Sequence, residues 1–135
     1  MAISRSIDKL IDLNDEASRV DLTHLIMRLF ERWSLDTVAQ LNLLGLSPNS
    51  RAMLSRYRRG AALPATRDLL DRVGWLLAIH KALRLLYPQN ESLRYTWVHR
   101  RHDAFNHSTP LETMMEGGII GIATVARYLD WQRGR

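Results

Sequence analysis

Five arginines lie within a twenty-residue window that contains no acidic side chain. They are Arg51, Arg56, Arg58, Arg59 and Arg67. Residues 48–67 therefore carry a net charge of +5, whereas residues 1–47 come to −2 and residues 68–90 and 91–135 to +1 each. Solvated helix faces usually intersperse both signs of charge. The concentration of positive charge in one short window is typical of an element that contacts the phosphates of a nucleic acid.

Helical geometry divides the residues of this window between two faces. At about 100° per residue, Met53, Leu54 and Tyr57 share one face and should pack on other helices. The opposite face presents Arg51, Ala52, Ser55, Arg56 and Arg59. A guanidinium fork can bond guanine O6 and N7 together in the major groove. We therefore assign base edges and phosphates to different residues: base edges to Arg51, Ser55 and Arg56, and phosphates to Arg58 and Arg59.

A glycine turn precedes this basic helix. Residues 38–44 are apolar at helical spacing, Gly45 ends the run, and the next helix begins at either Ser47 or Ser50 and ends at Gly60. The segment resembles the helix-turn-helix of the Xre and phage-repressor family, whose second helix commonly ends in a serine, a basic residue, an aromatic, a charged pair and glycine. It departs from that family by about one additional helical turn between Gly45 and Leu54, which leaves the start of the recognition helix open.

Three histidines and an aspartate offer the chain's other candidate chemistry. His99, His102, Asp103 and His107 are close in sequence, but Arg100 and Arg101 lie beside them and no HExxH pattern or cysteine accompanies them. No Ser-His-Asp order, glycine-rich phosphate loop or paired-carboxylate motif is present. We therefore predict no metal, no cofactor and no enzymatic activity.

The C-terminal third begins with a helix-capping pattern. Thr109 precedes Glu112 by three residues with Pro110 between them, which is a capping box with proline at the first helical position. The pair Gly117 and Gly118 should end this short helix. A second apolar-periodic run follows from Ile119 to Leu129. These features predict two helices separated by a glycine turn.

The order of phenylalanine, asparagine, Thr-Pro-Leu-Glu, a short helix, Gly-Gly and a long apolar helix resembles one family closely. It is similar to the C-terminal toxin-binding domain of the Xre/MbcA/ParS antitoxins, over about the last 45 residues. The resemblance implies a partner toxin, often of the RES type that degrades NAD or a related ADP-ribosyl-transferring enzyme. It also implies that the protein blocks the substrate pocket of the toxin and represses the shared operon by binding promoter DNA.

In that family the terminal helix and tail usually obstruct the toxin. Carried over by position, the resemblance implies toxin contacts for Tyr128, Trp131, Arg133 and Arg135, with residues 109–118 as their support. An arginine side chain suits a pocket shaped for an anionic cofactor.

Helical periodicity covers nearly the whole chain and predicts an all-α fold: an Xre-like helix-turn-helix bundle followed by a small helical toxin-binding domain. We expect an N-terminal arm over 1–20, the helix-turn-helix and dimerisation helices over 21–90, and the toxin-binding domain over 91–135. Asp21 should cap a first helix that ends at Trp33, and a helix should span 91–102.

The run 67–87 is apolar around much of its circumference, so it must be buried on two sides. We favour a homodimer over a helix wrapped by its own chain.

The 135 residues are 46% hydrophobic and include no cysteine. This composition is ordinary for a folded domain and excludes a disulfide framework. No apolar stretch approaches the ~20 residues of a membrane span, and the N-terminus lacks the apolar block of a signal peptide. We expect a cytoplasmic protein.

Two functions from other classes compete with the antitoxin. A stand-alone phage-type repressor would use the first 90 residues to bind DNA and the remainder as a dimerisation or effector module. An enzyme would turn over NAD or nucleotide substrates.

Overall fold

The computed structural model describes residues 14–134, and their secondary structure is entirely helical. The six α-helices are α1 Glu16–Arg32, α2 Thr37–Leu43, α3 Arg51–Arg58, α4 Arg67–Leu86, α5 Glu91–Thr96 and α6 Pro110–Arg133. Two 3-10 turns, Trp97–His99 and Asp103–Phe105, connect α5 to α6. The predicted all-α class is confirmed. Within this described part of the chain, no helix is long and apolar enough to cross a membrane.

The long helix α4 lies at the centre of one hydrophobic core. It packs mainly against α6 and also against α1, while α1 contacts α3 and α2 contacts α6. Seven of its residues are buried: Leu69, Leu70, Val73, Leu76, Ile79, Ala82 and Leu83. The apolar circumference of α4 is therefore covered to a large extent by its own chain, which was the alternative that the sequence left open.

The first helix begins earlier than predicted. We expected Asp21 to be the N-cap, but Asp15 caps α1, since its carboxylate accepts hydrogen bonds from the Ala17 amide and the Ser18 hydroxyl. Residues 16–20, assigned to an N-terminal arm, form the first turns of α1. None of these five residues is buried and only Ala17 and Val20 are apolar, so apolar periodicity could not reveal these turns. The rest of the predicted arm, residues 1–13, lies outside the described residues.

A capping side chain and two glycines set boundaries of α2 and α3. The Asp36 carboxylate accepts the Ala39 amide at 2.8 Å and starts α2. Gly45 and Gly60 follow α2 and α3 with φ of 73° and 95°, a left-handed conformation that glycine adopts without steric cost. Ser50, not Ser47, occupies the N-cap position of α3. Of the two starts that the sequence left open, the basic helix therefore has the later one and begins at Arg51.

The helix expected over 91–102 is shorter than predicted. It ends at Thr96 and continues as the 3-10 turn Trp97–His99, after which Arg100 and His102 are extended. The physical reason is burial, because the backbone must turn to place Trp97 and Val98 in the core, where both are almost fully inaccessible. Tertiary packing here overrides helix propensity.

Candidate functional site

The basic helix α3 has one packed side and one exposed side. Leu54 and Tyr57 are buried and Met53 is partly buried, as its helical geometry predicts. We define the basic face as Arg51, Arg56, Arg58 and Arg59, all of which are exposed. Ser55, the remaining residue of the predicted DNA-binding set, is only half-buried. The structure therefore brings the five predicted residues together on or beside one short helix.

Arg58 also connects α3 to α2. Its Nη2 donates to the Thr37 hydroxyl at 3.2 Å and to the Gln40 side-chain oxygen at 3.4 Å. The Gln40 amide in turn donates to the Leu35 carbonyl at 2.9 Å. Arg58 thus fixes the relative position of the two helices while remaining exposed. Sequence reasoning assigned it to phosphates and missed this internal contact.

The second candidate surface lies on α6, which consists of two helical parts. Thr109 and Glu112 make both hydrogen bonds of the predicted capping box, at 3.0 and 3.2 Å. The hydrogen bonds from the Thr109 backbone N–H and hydroxyl lower the pKa of Glu112. At Gly118 the backbone leaves the helix, with φ 61° and ψ −145°, and the second part then begins. The predicted glycine break is confirmed.

Gly121 holds the two parts of α6 close together. A Cβ at this position would overlap the carbonyl oxygen of Thr113, whereas a Cβ at Gly117 would meet no atom within 4 Å. Gly121 is buried. The close approach at Gly121 was not anticipated, because the sequence drew attention to the adjacent Gly-Gly pair.

Tyr128 faces an aromatic cluster rather than solvent. Its ring centroid lies 5.1 Å from that of Phe105 and 6.4 Å from that of Trp97, and the Gln132 amide donates to its hydroxyl at 3.0 Å. Trp131, whose centroid is 6.3 Å from that of Tyr128, is 58% exposed. Of these two predicted toxin contacts, Tyr128 is therefore half-buried among other aromatic rings, whereas Trp131 exposes its indole.

The exposed side of the second part of α6 forms what we call the outer stripe. It consists of Ile120, Thr124, Arg127 and Trp131, at spacings of four, three and four residues that place them on one helix face. Ile120 is 76% exposed, more than any other large hydrophobic residue of 14–134. The Arg127 guanidinium lies 5.9 Å from the centroid of the Trp75 ring. Sequence reasoning missed Ile120, although this i, i+4, i+7, i+11 pattern was present to be found.

Of the two predicted C-terminal arginines, Arg133 makes an ion pair within α6. The Arg133 guanidinium pairs with the Asp130 carboxylate at 3.0 Å, and both side chains are substantially exposed. Arg135 lies outside the described residues. An exposed ion pair of this kind contributes little free energy, so Arg133 is readily available to another anion.

The histidines near residue 100 do not converge. His99 Nε2 lies against the Trp33 carbonyl oxygen, the His102 ring packs on Trp97, and His107 Nδ1 lies 3.1 Å from the Asp103 carboxylate. Within the described range, no group of three potential metal-ligating side chains is close enough to hold an ion.

Comparison with known proteins places these features in a family. Residues 82–135 match the family model of the antitoxin Xre/MbcA/ParS C-terminal toxin-binding domain, which includes the end of α4, α5 and the whole of α6. A relative described as the uncharacterized protein y4oB of Sinorhizobium fredii is 37% identical over 107 residues, which are 79% of this chain and 80% of that protein. The chain therefore belongs to the family of antitoxins that carry the Xre/MbcA/ParS toxin-binding domain.

Proposed function

We propose that this antitoxin binds a RES-type toxin, which degrades NAD, or a related ADP-ribosyl-transferring toxin, and blocks its substrate pocket. The observation that carries the proposal is the outer stripe. It exposes Ile120 and Trp131 on one face of a helix whose opposite face is buried in the core. Large apolar side chains flanked by polar residues are common at protein–protein interfaces, and tryptophan and arginine are enriched among their energetic anchors.

The proposed mechanism is steric and electrostatic. Trp131 supplies apolar contact area at the edge of the toxin's pocket, and Arg133, with Arg135, occupies the part that accepts the anionic cofactor. Arg133 must then leave Asp130, which costs little because their ion pair is exposed. The guanidinium is suited to this role because it presents several donors in a fixed fork that matches phosphate oxygens. Tyr128 keeps Trp131 in place through the aromatic cluster.

Co-expression with the product of the neighbouring gene tests this proposal. We expect the wild-type chain to restore growth of cells that express the toxin, and Trp131→Ala to lose that protection because a tryptophan anchor commonly contributes about 2 kcal/mol or more to binding. The matched control is Leu85→Ala, since Leu85 is 54% exposed but lies on α4. Both variants should fold normally, because exposed positions have small effects on stability. Equal protection by both variants would exclude the outer stripe as the toxin contact.

We further propose that the protein represses its own operon through the basic face of α3. Arg51 and Arg56 are exposed and lie five residues apart on the same short helix, and half-buried Ser55 precedes Arg56. In this arrangement Arg51, Ser55 and Arg56 read base edges, while Arg58 and Arg59 contact phosphates. Arg58 additionally holds α2 and α3 in the geometry needed for docking.

Fluorescence anisotropy with duplex DNA from upstream of the gene tests this second proposal. Arg56→Ala should weaken specific binding by about 1–3 kcal/mol and relax sequence discrimination. Arg67→Ala, which removes a charge outside the basic face, should have a much smaller effect. With roughly 6–10 phosphate contacts by a dimer, affinity should fall about 10³–10⁵-fold between 50 and 200 mM salt. A flat salt response would contradict DNA binding.

A further inference from the structure

A second concentration of positive charge lies away from both candidate surfaces. A pocket of about 260 Å³ lies between α1, α4 and α5. We call it the arginine pocket, and its polar lining consists of Arg28, Arg32, His80, Arg84, Arg94 and Tyr95. None of the residues that line it is acidic. Arg28 and Arg32 precede the family-matched segment, whereas Arg84, Arg94 and Tyr95 belong to it, so the pocket joins the two parts of the chain.

The positive charge of the pocket is only partly compensated. Arg32 pairs with Glu91 at 3.3 Å, and this carboxylate is 66% exposed. The side chains of Arg28 and Arg84 make no ion pair or hydrogen bond to any residue of 14–134. The Arg94 Nε is buried without a hydrogen-bond partner in the same part of the chain. A buried donor of a charged group is costly to leave unsatisfied.

Aromatic rings hold the arginines in place. The Arg32 and Arg94 guanidinium carbons lie 5.3 and 5.9 Å from the centroid of the Tyr95 ring, and Arg32 also donates to the Tyr95 hydroxyl at 3.3 Å. The His80 ring stacks on Tyr95 at 5.8 Å. Cations near aromatic faces are positioned by the ring quadrupole. The guanidinium groups of Arg32 and Arg94 are therefore arranged before any ligand binds.

The pKa of His80 reflects the positive electrostatic potential inside the arginine pocket. Burial lowers its pKa, and the positive charges of Arg84, Arg94 and Arg32 lower it further. Its Nδ1 is buried and has no hydrogen-bond partner among the described residues. The positive potential that disfavours a proton on His80 favours an anion in the same pocket.

We propose that the arginine pocket binds the phosphate group of a phosphomonoester. A phosphate dianion offers several acceptor oxygens to the guanidinium forks and compensates more charge than a single carboxylate does. The volume is below the 300–1,000 Å³ of a typical cofactor site, so the group that enters is a phosphate with little of its parent molecule. His80 and Arg94, which both line the pocket, each carry a buried nitrogen without a hydrogen-bond partner among the described residues.

Titration of the full chain with inorganic phosphate tests the site. At constant ionic strength, maintained with sodium chloride, we expect the thermal unfolding midpoint to rise saturably and the Tyr95 and His80 ring resonances to shift with the same apparent Kd. Arg84→Met and Arg94→Lys should each raise that Kd at least tenfold, the latter because lysine keeps the charge but loses the fork. Arg67→Met, at the opposite end of α4 from Arg84, removes an equal charge and should leave the Kd unchanged. A linear response, or equal effects of Arg67→Met and Arg84→Met, would overturn the proposal.

Adenosine monophosphate and a short random-sequence duplex distinguish a phosphomonoester from the phosphodiester of a nucleic acid backbone. If AMP displaces inorganic phosphate and Arg84→Met weakens that displacement, the natural ligand is a small phosphorylated molecule. If the duplex displaces it and AMP does not, the pocket receives the phosphodiester of a nucleic acid backbone, and the phosphomonoester proposal is overturned. Failure of both to displace bound inorganic phosphate would contradict a phosphomonoester site.

Discussion

At the scale of single residues, Tyr128 and Trp131 show what a sequence motif leaves undetermined. Both are aromatic and lie three residues apart on α6, and resemblance assigned both to the toxin. The side chain of Tyr128 is held by Phe105, Trp97 and Gln132, whereas that of Trp131 is largely exposed. Ile120 was missed because the sequence does not distinguish an exposed isoleucine from a buried one within an apolar run. Which of them is exposed depends on how the helix lies on α4, and this is a tertiary property.

His80 gives a prediction about pH at the same scale. Its pKa in the folded protein is below the ordinary 6.5, because of burial first and then Arg84, Arg94 and Arg32. The unfolded chain therefore takes up the proton first as the pH falls. The free energy of unfolding should decrease as pH falls below 6.5 and level off below the folded pKa, with a slope of at most about 1.4 kcal/mol per pH unit.

Urea denaturation between pH 4.5 and 8 measures this dependence. His80→Gln should reduce the slope below pH 6.5, while His24→Gln, at an exposed position of α1, should leave it in place. The region around His80 also contains Glu91, Arg28 and Tyr95. The two histidine variants are therefore compared with the wild type at one ionic strength. A slope unchanged by His80→Gln would show that another group carries the pH dependence.

At the scale of elements, local chemistry determined most helix boundaries. The capping box at Thr109 and the turns at Gly45 and Gly60 were readable because a side chain or a left-handed glycine sets each boundary. The end of α5 was not readable, because the burial of Trp97 decides it. The start of α1 was missed because its first turns lack an apolar stripe.

The glycines of α6 provide a matched pair of substitutions. Gly121→Ala should destabilise the fold by about 1–3 kcal/mol, because the new Cβ must displace the Thr113 backbone. Gly117→Ala should be neutral or stabilising by up to about 1 kcal/mol, since its Cβ meets nothing within 4 Å and alanine favours a helix. Thermal and urea unfolding compare the two. Equal loss of stability in both variants would contradict the close approach at Gly121.

At the scale of the whole molecule, the two predicted functional parts share one core. Buried residues from Leu22 on α1 to Leu129 on α6 form a continuous cluster, and α2 contacts α6 directly. The apolar circumference of α4, from which a homodimer was inferred, is largely explained by contacts within the chain. The case for a dimer therefore rests on the twofold symmetry of operator sites and on a groove of about 570 Å³ lined partly by Leu22, Leu25, Leu77 and Ala78.

We propose that the part of this groove formed by α1 and α4, apart from Asp130 and Arg133 at its α6 side, is the homodimer contact, and sedimentation equilibrium tests it. The 15.6 kDa chain should sediment at twice that mass at micromolar concentration. Ala78→Glu, which introduces a charge at an exposed position of the groove, should give the monomer mass. Leu85→Glu, at an exposed apolar position of α4 outside the residues that line the groove, should remain dimeric. A wild-type chain that is monomeric at all concentrations would contradict a homodimer.

The most direct test of the central claim is a binding measurement on a chain that lacks residues 131–135. Removal of this segment takes away Trp131, Arg133 and Arg135 but keeps the buried Leu129 and the aromatic support from Tyr128. With the toxin encoded by the neighbouring gene and the upstream operator as ligands, we predict that the shortened antitoxin binds the operator as the full chain does and no longer binds the toxin. Undiminished toxin affinity of the shortened chain would contradict the claim that the end of α6 and its basic tail block the toxin.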